Sequence, residues 1–245
     1  MILSYADMES IAWQLLFDFS QTCKAYSPFI WDRCVPIELF AEDFLNLHIR
    51  YEHLFPDPNL CGLTAYKDTD VIIRDRTYHV SANDILVNVP DPYIPKYEIN
   101  EREITYRRNR FTIAHECAHQ IIFGMEHDDA KEKYRRMYEN GREYSLRELK
   151  TKEDWNEWQA NALGAAILMP GKSIAACMDK FKPYDYVISF MGRFNSRDRR
   201  TIGVLSGKFD VSFTAMVIRL RQLGFLIYRP RSEFFEPLDI WKCDD

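Results

Sequence analysis

Across residues 5–25 the apolar positions Ile11, Leu15, Leu16, Phe19 and Cys23 fall on one side of a helix of 3.6 residues per turn. Pro28 and Pro36 bracket a connector, and Pro36 opens a second predicted helix over 36–53, since proline suits a first helical turn. Pro56-Asp57-Pro58-Asn59 closes it. The pattern then shortens. Leu63–Tyr66, Val71–Arg74 and Ile85–Val89 are brief runs rich in β-branched or apolar residues between polar turns, and they predict strands. Pro90, Pro92 and Pro95 mark a rigid loop, and a basic lead-in, Arg102–Arg110, enters the next helix.

In that helix Phe111, Ala114, Ala118, Ile121 and Ile122 repeat at helical spacing, and Gly124 offers a stop. Residues 126–152 are dominated by charge and predict a solvated helix or a flap that borders the cleft and restricts entry. Within them Glu126, His127, Asp128 and Asp129 read as a polar exit from the helix, not a second metal site. A further helix starts at a capping box, Thr151-x-x-Asp154, and ends at Met169-Pro170-Gly171. After Pro170 two or three short helices are expected. Thr201–Phe209 and Phe213–Leu223 flank a turn at Val211-Ser212, with Ser212 as N-cap and Gly224 as terminator. This is the outline of a helix-turn-helix. One reading docks it on DNA, with Arg219 and Arg221 near phosphates. The other makes it a packing or recognition module. The second is favoured, because the outward positions of the last helix hold few residues suited to reading bases.

The chemistry concentrates at His115-Glu116-Cys117-Ala118-His119, an H-E-x-x-H on the predicted helix. Histidines four apart share a helical face, with Cβ atoms about 5–6 Å apart. Both imidazoles can then reach one zinc at about 2.0–2.1 Å. Glu116 lies one step round, beside a metal and not on it, where it can take a proton from water as a general base. Cys117 points to the other side of the helix and is not a ligand. A catalytic zinc needs a third protein ligand and an open fourth position. Glu157, on the capped helix, is the candidate, and Asn161, one turn on, can orient His115 by accepting from its second ring nitrogen. Ala160, Ala162, Gly164, Ala165 and Ala166 make that helix small enough to lie close to the histidines.

The stretches "RFTIAHECAHQIIF" and "EWQANALGAAILMP" resemble the ImmA/IrrE family of metallo-endopeptidases. The C-terminal "VSFTAMVIRLRQLG" is similar to the helix-turn-helix-like ending of many members, and the likeness spans roughly residues 35–228. The resemblance implies a gluzincin-like site, in which a Glu on a following helix completes H-E-x-x-H, preceded by a three-stranded sheet. It also implies a substrate: helix-turn-helix repressors of mobile elements or stress regulons. The long charged stretch between His119 and Glu157 departs from the pattern.

Composition narrows the rest. The chain has 245 residues, 47% of them hydrophobic, enough for a substantial core. No run approaches the length of a membrane span, and Met1–Asp7 lacks a basic start, so a cytoplasmic protein is expected. The six cysteines are scattered without C-x-x-C and read as reduced thiols. The net charge of −5 argues against a general nucleic-acid-binding surface. Residues 193–231 nevertheless hold nine basic and two acidic residues, an excess of +7 that leaves −12 for the remainder.

The expectation is an α+β fold: a helical zinc-peptidase core with a small antiparallel three-stranded sheet, residues 1–171, and a C-terminal helix-turn-helix-like module, residues 172–245. Its activity would be zinc-dependent endoproteolysis of narrow specificity with one Zn2+ per chain, held by His115, His119 and Glu157, with Glu116 catalytic and Asn161 behind His115. Its expected partner is a protein substrate, a helix-turn-helix repressor, with DNA binding weak or absent. The competing class is a non-proteolytic regulator or toxin–antitoxin component with a structural zinc. An intact Glu116 speaks against it, since a structural site needs no base.

Overall fold

Ser4 starts the first helix. Its hydroxyl accepts from the Asp7 amide, and the Asp7 carboxylate accepts from the Ser4 amide at 2.8 Å, a reciprocal cap that satisfies otherwise orphaned N–H groups. The resulting α1, Tyr5–Thr22, buries Met8, Ala12, Leu16 and Phe19, while Ile11, Leu15 and Cys23 pack at its margin. The computed structural model describes residues 2–24, 26–27, 34–54, 60–73, 75–89, 99–125, 138–139, 149–180 and 185–237. The charged stretch expected to border the cleft lies mostly outside them, at 126–137 and 140–148.

The helix expected over 36–53 is cut short. A single turn, α2 (Ile37–Leu39), runs into a π turn at Phe40–Phe44. Asn46 then takes a left-handed φ of 54°, which stops the helix. The next residues form a strand instead, β1 (His48–Glu52), whose backbone pairs with a partner far along the chain.

The sheet also differs from the expected antiparallel three strands. Four strands, β1, β2 (Leu60–Thr64), β5 (Asp84–Asn88) and β6 (Tyr138–Glu139), lie in the order β1-β5-β2-β6. β1 runs parallel to β5, so the sheet is mixed, and β2 is antiparallel to both β5 and β6. The run at Val71 belongs elsewhere: β3 (Thr69–Ile73) and β4 (Arg76–Val80) make a separate antiparallel hairpin, turned at Asp75 with φ 60°. Alternation explains the layering. Ile85 and Val87 face the helices, while Leu63 and Leu86 face the hairpin and join Leu54, Ala65, Val71, Ile73 and Val80 in a second, smaller apolar cluster. All five residues of β5 are buried, as suits a central strand covered on both faces.

The helices follow. The basic lead-in is part of the long α3, Ile99–Met125. α4, Lys152–Leu168, begins at the capping box of Thr151 and Asp154. α5 (Gly171–Asp179) precedes β7 (Val187–Phe190), then α6 (Ser196–Phe209), α7 (Phe213–Gln222) and β8 (Leu226–Arg229). The parallel β7–β8 pair was not anticipated. α6 and α7 meet at 102°. Ser212 caps α7 by accepting from the Ala215 amide at 3.1 Å, and Gly224, φ 79°, follows its end. The expected boundary after residue 171 falls at the start of α5. One apolar cluster extends across it, joining Leu16, Ile113, Leu163, Ile174, Ile202 and Met216. Among the described residues no single helix is long and apolar enough to cross a membrane.

Candidate metal centre

α3 and α4 pack side by side, and a glycine sets their separation. A Cβ on Gly164 would stand 3.1 Å from the carbonyl carbon of Ala114, its oxygen and the His115 nitrogen, so the two backbones nearly touch where the first histidine sits. Ala160, Ala162, Ala165 and Ala166 are buried beside it. The close approach brings Glu157 from α4 over the histidine face of α3.

His115 Nε2 and His119 Nε2 lie 3.0 Å apart, with their rings nearly perpendicular at 84°. Glu157 Oε2 is 3.3 Å from His115 Nε2, and Oε1 is 3.2 Å from His119 Nε2. Four ligands at zinc bond lengths in a tetrahedron stand about 3.3 Å from one another. The donor set therefore fits zinc in type and spacing. Among the described residues it is a group of three metal-capable side chains, which leaves a fourth position to other groups. Both histidines are buried, while the Glu157 side chain keeps 18% of its exposure, so the group is reached from its side.

Asn161 reaches the His115 ring from α4. Its Oδ1 is 3.2 Å from His115 Nδ1. An imidazole that donates from Nδ1 keeps its lone pair on Nε2, the atom turned to His119 and Glu157. Cys117 lies on the opposite side of α3, fully buried in the apolar cluster, and burial first, then the nearby Glu116, pushes its thiol pKa well up.

Two carboxyls in this small space behave oppositely. Burial would raise the Glu157 pKa, but the adjoining His119 and His115 overcome it and hold the group far below the usual carboxylate range. Glu116 is almost wholly buried, and among the described residues neither of its oxygens has a hydrogen-bond partner. Burial, reinforced by the Glu157 charge, raises its pKa well above the ordinary value.

The match to known proteins falls on this region. The peptidase M78 family model, described as an IrrE N-terminal-like domain, matches residues 98–221, half of the chain, from the start of α3 into α7. The chain belongs to the ImmA/IrrE family of metallopeptidases. Comparison with curated proteins finds no match. As a member of a peptidase family it has a protein substrate.

Two residues of this ImmA/IrrE chain escaped the sequence reading. Gly62 of β2 lies against the site: a Cβ there would meet Thr112 Cγ2 at 2.6 Å, the Leu86 oxygen at 2.7 Å and Glu116 Oε1 at 3.4 Å. A glycine inside a strand run is the signal that another group passes close by. Gln120, next to His119, donates to Thr64 Oγ1 at 2.6 Å, Ala65 O at 2.8 Å and Ala82 O at 3.0 Å. It ties the histidine helix to the end of β2 and to the turn before β5. No local sequence feature announces it.

Proposed function

We propose that the chain is a zinc-dependent endopeptidase of narrow specificity that cleaves a helix-turn-helix transcriptional repressor of a mobile element or stress regulon. The observation that carries the peptidase reading is the meeting of three metal-capable side chains, their donor atoms 3.0–3.3 Å from one another, beside a buried carboxyl with no hydrogen-bond partner among the described residues. His115, His119 and Glu157 would hold one Zn2+, and Asn161 would fix the tautomer of His115. When bound, zinc polarises the scissile carbonyl and makes a nearby water more acidic. Glu116 takes a proton from the attacking water and passes it to the amine as the C–N bond breaks. The apolar packing around α3 keeps bulk water from Glu116, so the proton stays on the carboxyl between the two transfers. Residues 1–171 form the catalytic portion, and residues 172–245 a module that recognises the substrate or braces the catalytic helices. The repressor assignment draws on the family likeness of the two metal segments.

The test is cleavage of a repressor encoded by a neighbouring gene, with purified protein and Zn2+. The wild type is expected to cut it at one site and Glu116→Gln, which has nearly the same shape and cannot act as a base, to lose at least about a hundredfold in rate. Cleavage by Glu116→Gln at a near-normal rate would remove the proposed base.

A further inference from the structure

The two faces of the β7–β8 pair are used differently. Val187 and Leu226 turn into the main apolar cluster, while Ile188 and Phe190, on the alternate face, line a cavity of about 370 Å3. Tyr186 and Phe235 line it too, and the Phe235 ring meets Phe190 edge-on with 5.9 Å between centroids. Two cations complete the lining: Arg197 of α6, and Arg229 of β8, which stands opposite Phe190 in the register. None of the lining residues lies on α3 or α4.

The two guanidiniums are held to different degrees. Arg197 is fixed: its Nε donates to Asp198 Oδ1 at 3.0 Å, and the buried Asp198 also accepts from the Ile188 amide at 3.1 Å. Arg229 pairs with Glu233 at 3.0 Å, but both side chains are half exposed. An exposed pair of that kind contributes little, so an incoming carboxylate can take the place of Glu233. The cavity also belongs to the part of the chain with the strong basic excess, nine basic residues against two acidic over 193–231. The nearby acid Glu236 is already bonded to the Ser196 amide at 2.9 Å. Such a field draws acidic partners. An aromatic ring carried among carboxylates satisfies both parts of the lining. The ring takes edge contacts from Phe190 and Phe235, and the carboxylates take the guanidiniums. An aliphatic group alone leaves the arginines unused, and a cation is repelled by them. We propose that this cavity receives a Trp, Tyr or Phe side chain of the protein substrate, flanked by Asp or Glu, and so helps to decide which protein is cut. The inference rests on the peptidase reading above. Binding made apart from the scissile bond acts on ground state and transition state alike, so it lowers KM and leaves kcat unchanged.

The experiment titrates the full chain, with Zn2+ and in a Glu116→Gln background, with end-capped peptides in a calorimeter. The probe is Asp-Glu-Trp-Glu-Asp, and the controls are Asp-Glu-Ala-Glu-Asp and Asn-Gln-Trp-Gln-Asn. The probe is expected to bind at least about tenfold more tightly than either control. Phe235→Ala and Arg229→Glu alter half-exposed residues and should keep the fold and the zinc content, yet each should weaken the probe at least about tenfold. Arg229→Glu should in turn prefer Lys-Arg-Trp-Arg-Lys, a rescue that a merely structural role does not give. Equal binding of probe and controls overturns the proposal, as does an Arg229→Glu protein that binds the probe like its parent. Indole-3-acetate is the second arm: if it binds as tightly as the probe and with the same dependence on Arg229, the site serves a free aromatic acid and the substrate assignment falls. Chains with Glu116 intact separate the readings. Selective peptide binding without cleavage of the repressor sinks the peptidase assignment and leaves the docking site standing. Cleavage of the repressor with the same KM by wild type and Arg229→Glu does the reverse.

Discussion

Arg219 of α7 is buried against Glu9 of α1, and the two residues form an ion pair across 210 positions of sequence. The guanidinium Nε also donates to the Met169 carbonyl at 2.9 Å, and Glu9 Oε2 accepts from the Gly171 amide at 3.1 Å. The pair thus fastens the first helix, the junction of α4 and α5, and the last helix at one point. The Arg219 side chain is 1% exposed and the Glu9 side chain 30%.

That asymmetry predicts unequal effects. Glu9→Ala leaves a cation buried without its counterion and is expected to cost about 3 kcal/mol. Arg219→Met leaves a carboxylate that water can still reach and fills the stem with apolar volume, so about 2 kcal/mol is expected, mostly for the unpaired Met169 carbonyl. The sharper outcome concerns the double variant. Removing both charges should give a protein more stable than Glu9→Ala alone, in urea denaturation at neutral pH. A double variant with the summed loss would show that the pair is not coupled.

The same burial bears on DNA. Arg219 was one of two arginines available to meet phosphates if α7 entered a groove, and it is inside the protein. α7 also turns Met216 and Leu220 inward, and Thr214 and Arg221 are its exposed polar residues. The basic excess of residues 193–231 still permits association with phosphate. Expected, therefore, is weak binding that falls steeply with salt and is the same for operator-like and random duplexes in a fluorescence titration. Sequence-selective binding in the nanomolar range at physiological salt contradicts this and favours a DNA-binding regulator.

Local signals carried the helices of the site. The Thr151–Asp154 box, the Ser212 cap and the four-residue histidine spacing are each decided within one helical turn, so the sequence alone names the residues involved. The sheet is decided elsewhere. β1 was hidden because Pro36 and the apolar spacing after it continue a helical pattern, which only the left-handed Asn46 and the distant β5 interrupt. β4 reads Arg-Thr-Tyr-His-Val, mostly exposed, and its pairing with β3 leaves little hydrophobic trace. β7 and β8 are four residues each and find one another across two helices. Within the centre, His115, His119, Glu157 and Asn161 could be picked out by type and spacing. Gly62 and Gln120 act through strands whose position no local pattern reveals.

Two glycines set the separations around the centre, and adding a methyl group to each should have different consequences. At Gly62 a Cβ collides with Thr112 Cγ2 at 2.6 Å and with the Leu86 carbonyl oxygen at 2.7 Å, the latter fixed in the sheet. Gly62→Ala is expected to cost about 1–3 kcal/mol by overpacking. Thr112→Ser removes the colliding methyl group and should restore part of the loss, but not that due to Leu86. At Gly164 the three contacts are 3.1 Å, all to backbone atoms of α3 that have little room to give, and they oppose the about 1 kcal/mol of helix propensity that alanine gains. Gly164→Ala should come out destabilised in the same urea titration, but by less than Gly62→Ala. A Gly62→Ala protein as stable as wild type would mean that β2 is free to move away from α3.

Protein purified without added metal and passed through a desalting column is expected to carry close to one zinc per chain by elemental analysis, and His119→Ala to carry essentially none. Asn161→Ala separates a ligand from a residue that orients one. It leaves all three donors in place but removes Asn161 Oδ1, which lies 3.2 Å from His115 Nδ1. Loss of such a partner typically weakens metal affinity about 10–100-fold. Competition against a chromogenic chelator should therefore show full stoichiometry at saturating zinc and a dissociation constant raised by that factor. The fold should persist, because Asn161 is only partly buried and sits on a helix whose other face makes the core. An Asn161→Ala protein with unchanged zinc affinity would mean that the packing of α3 against α4 alone fixes the imidazole, and that the contact between Asn161 and His115 does not tune the site.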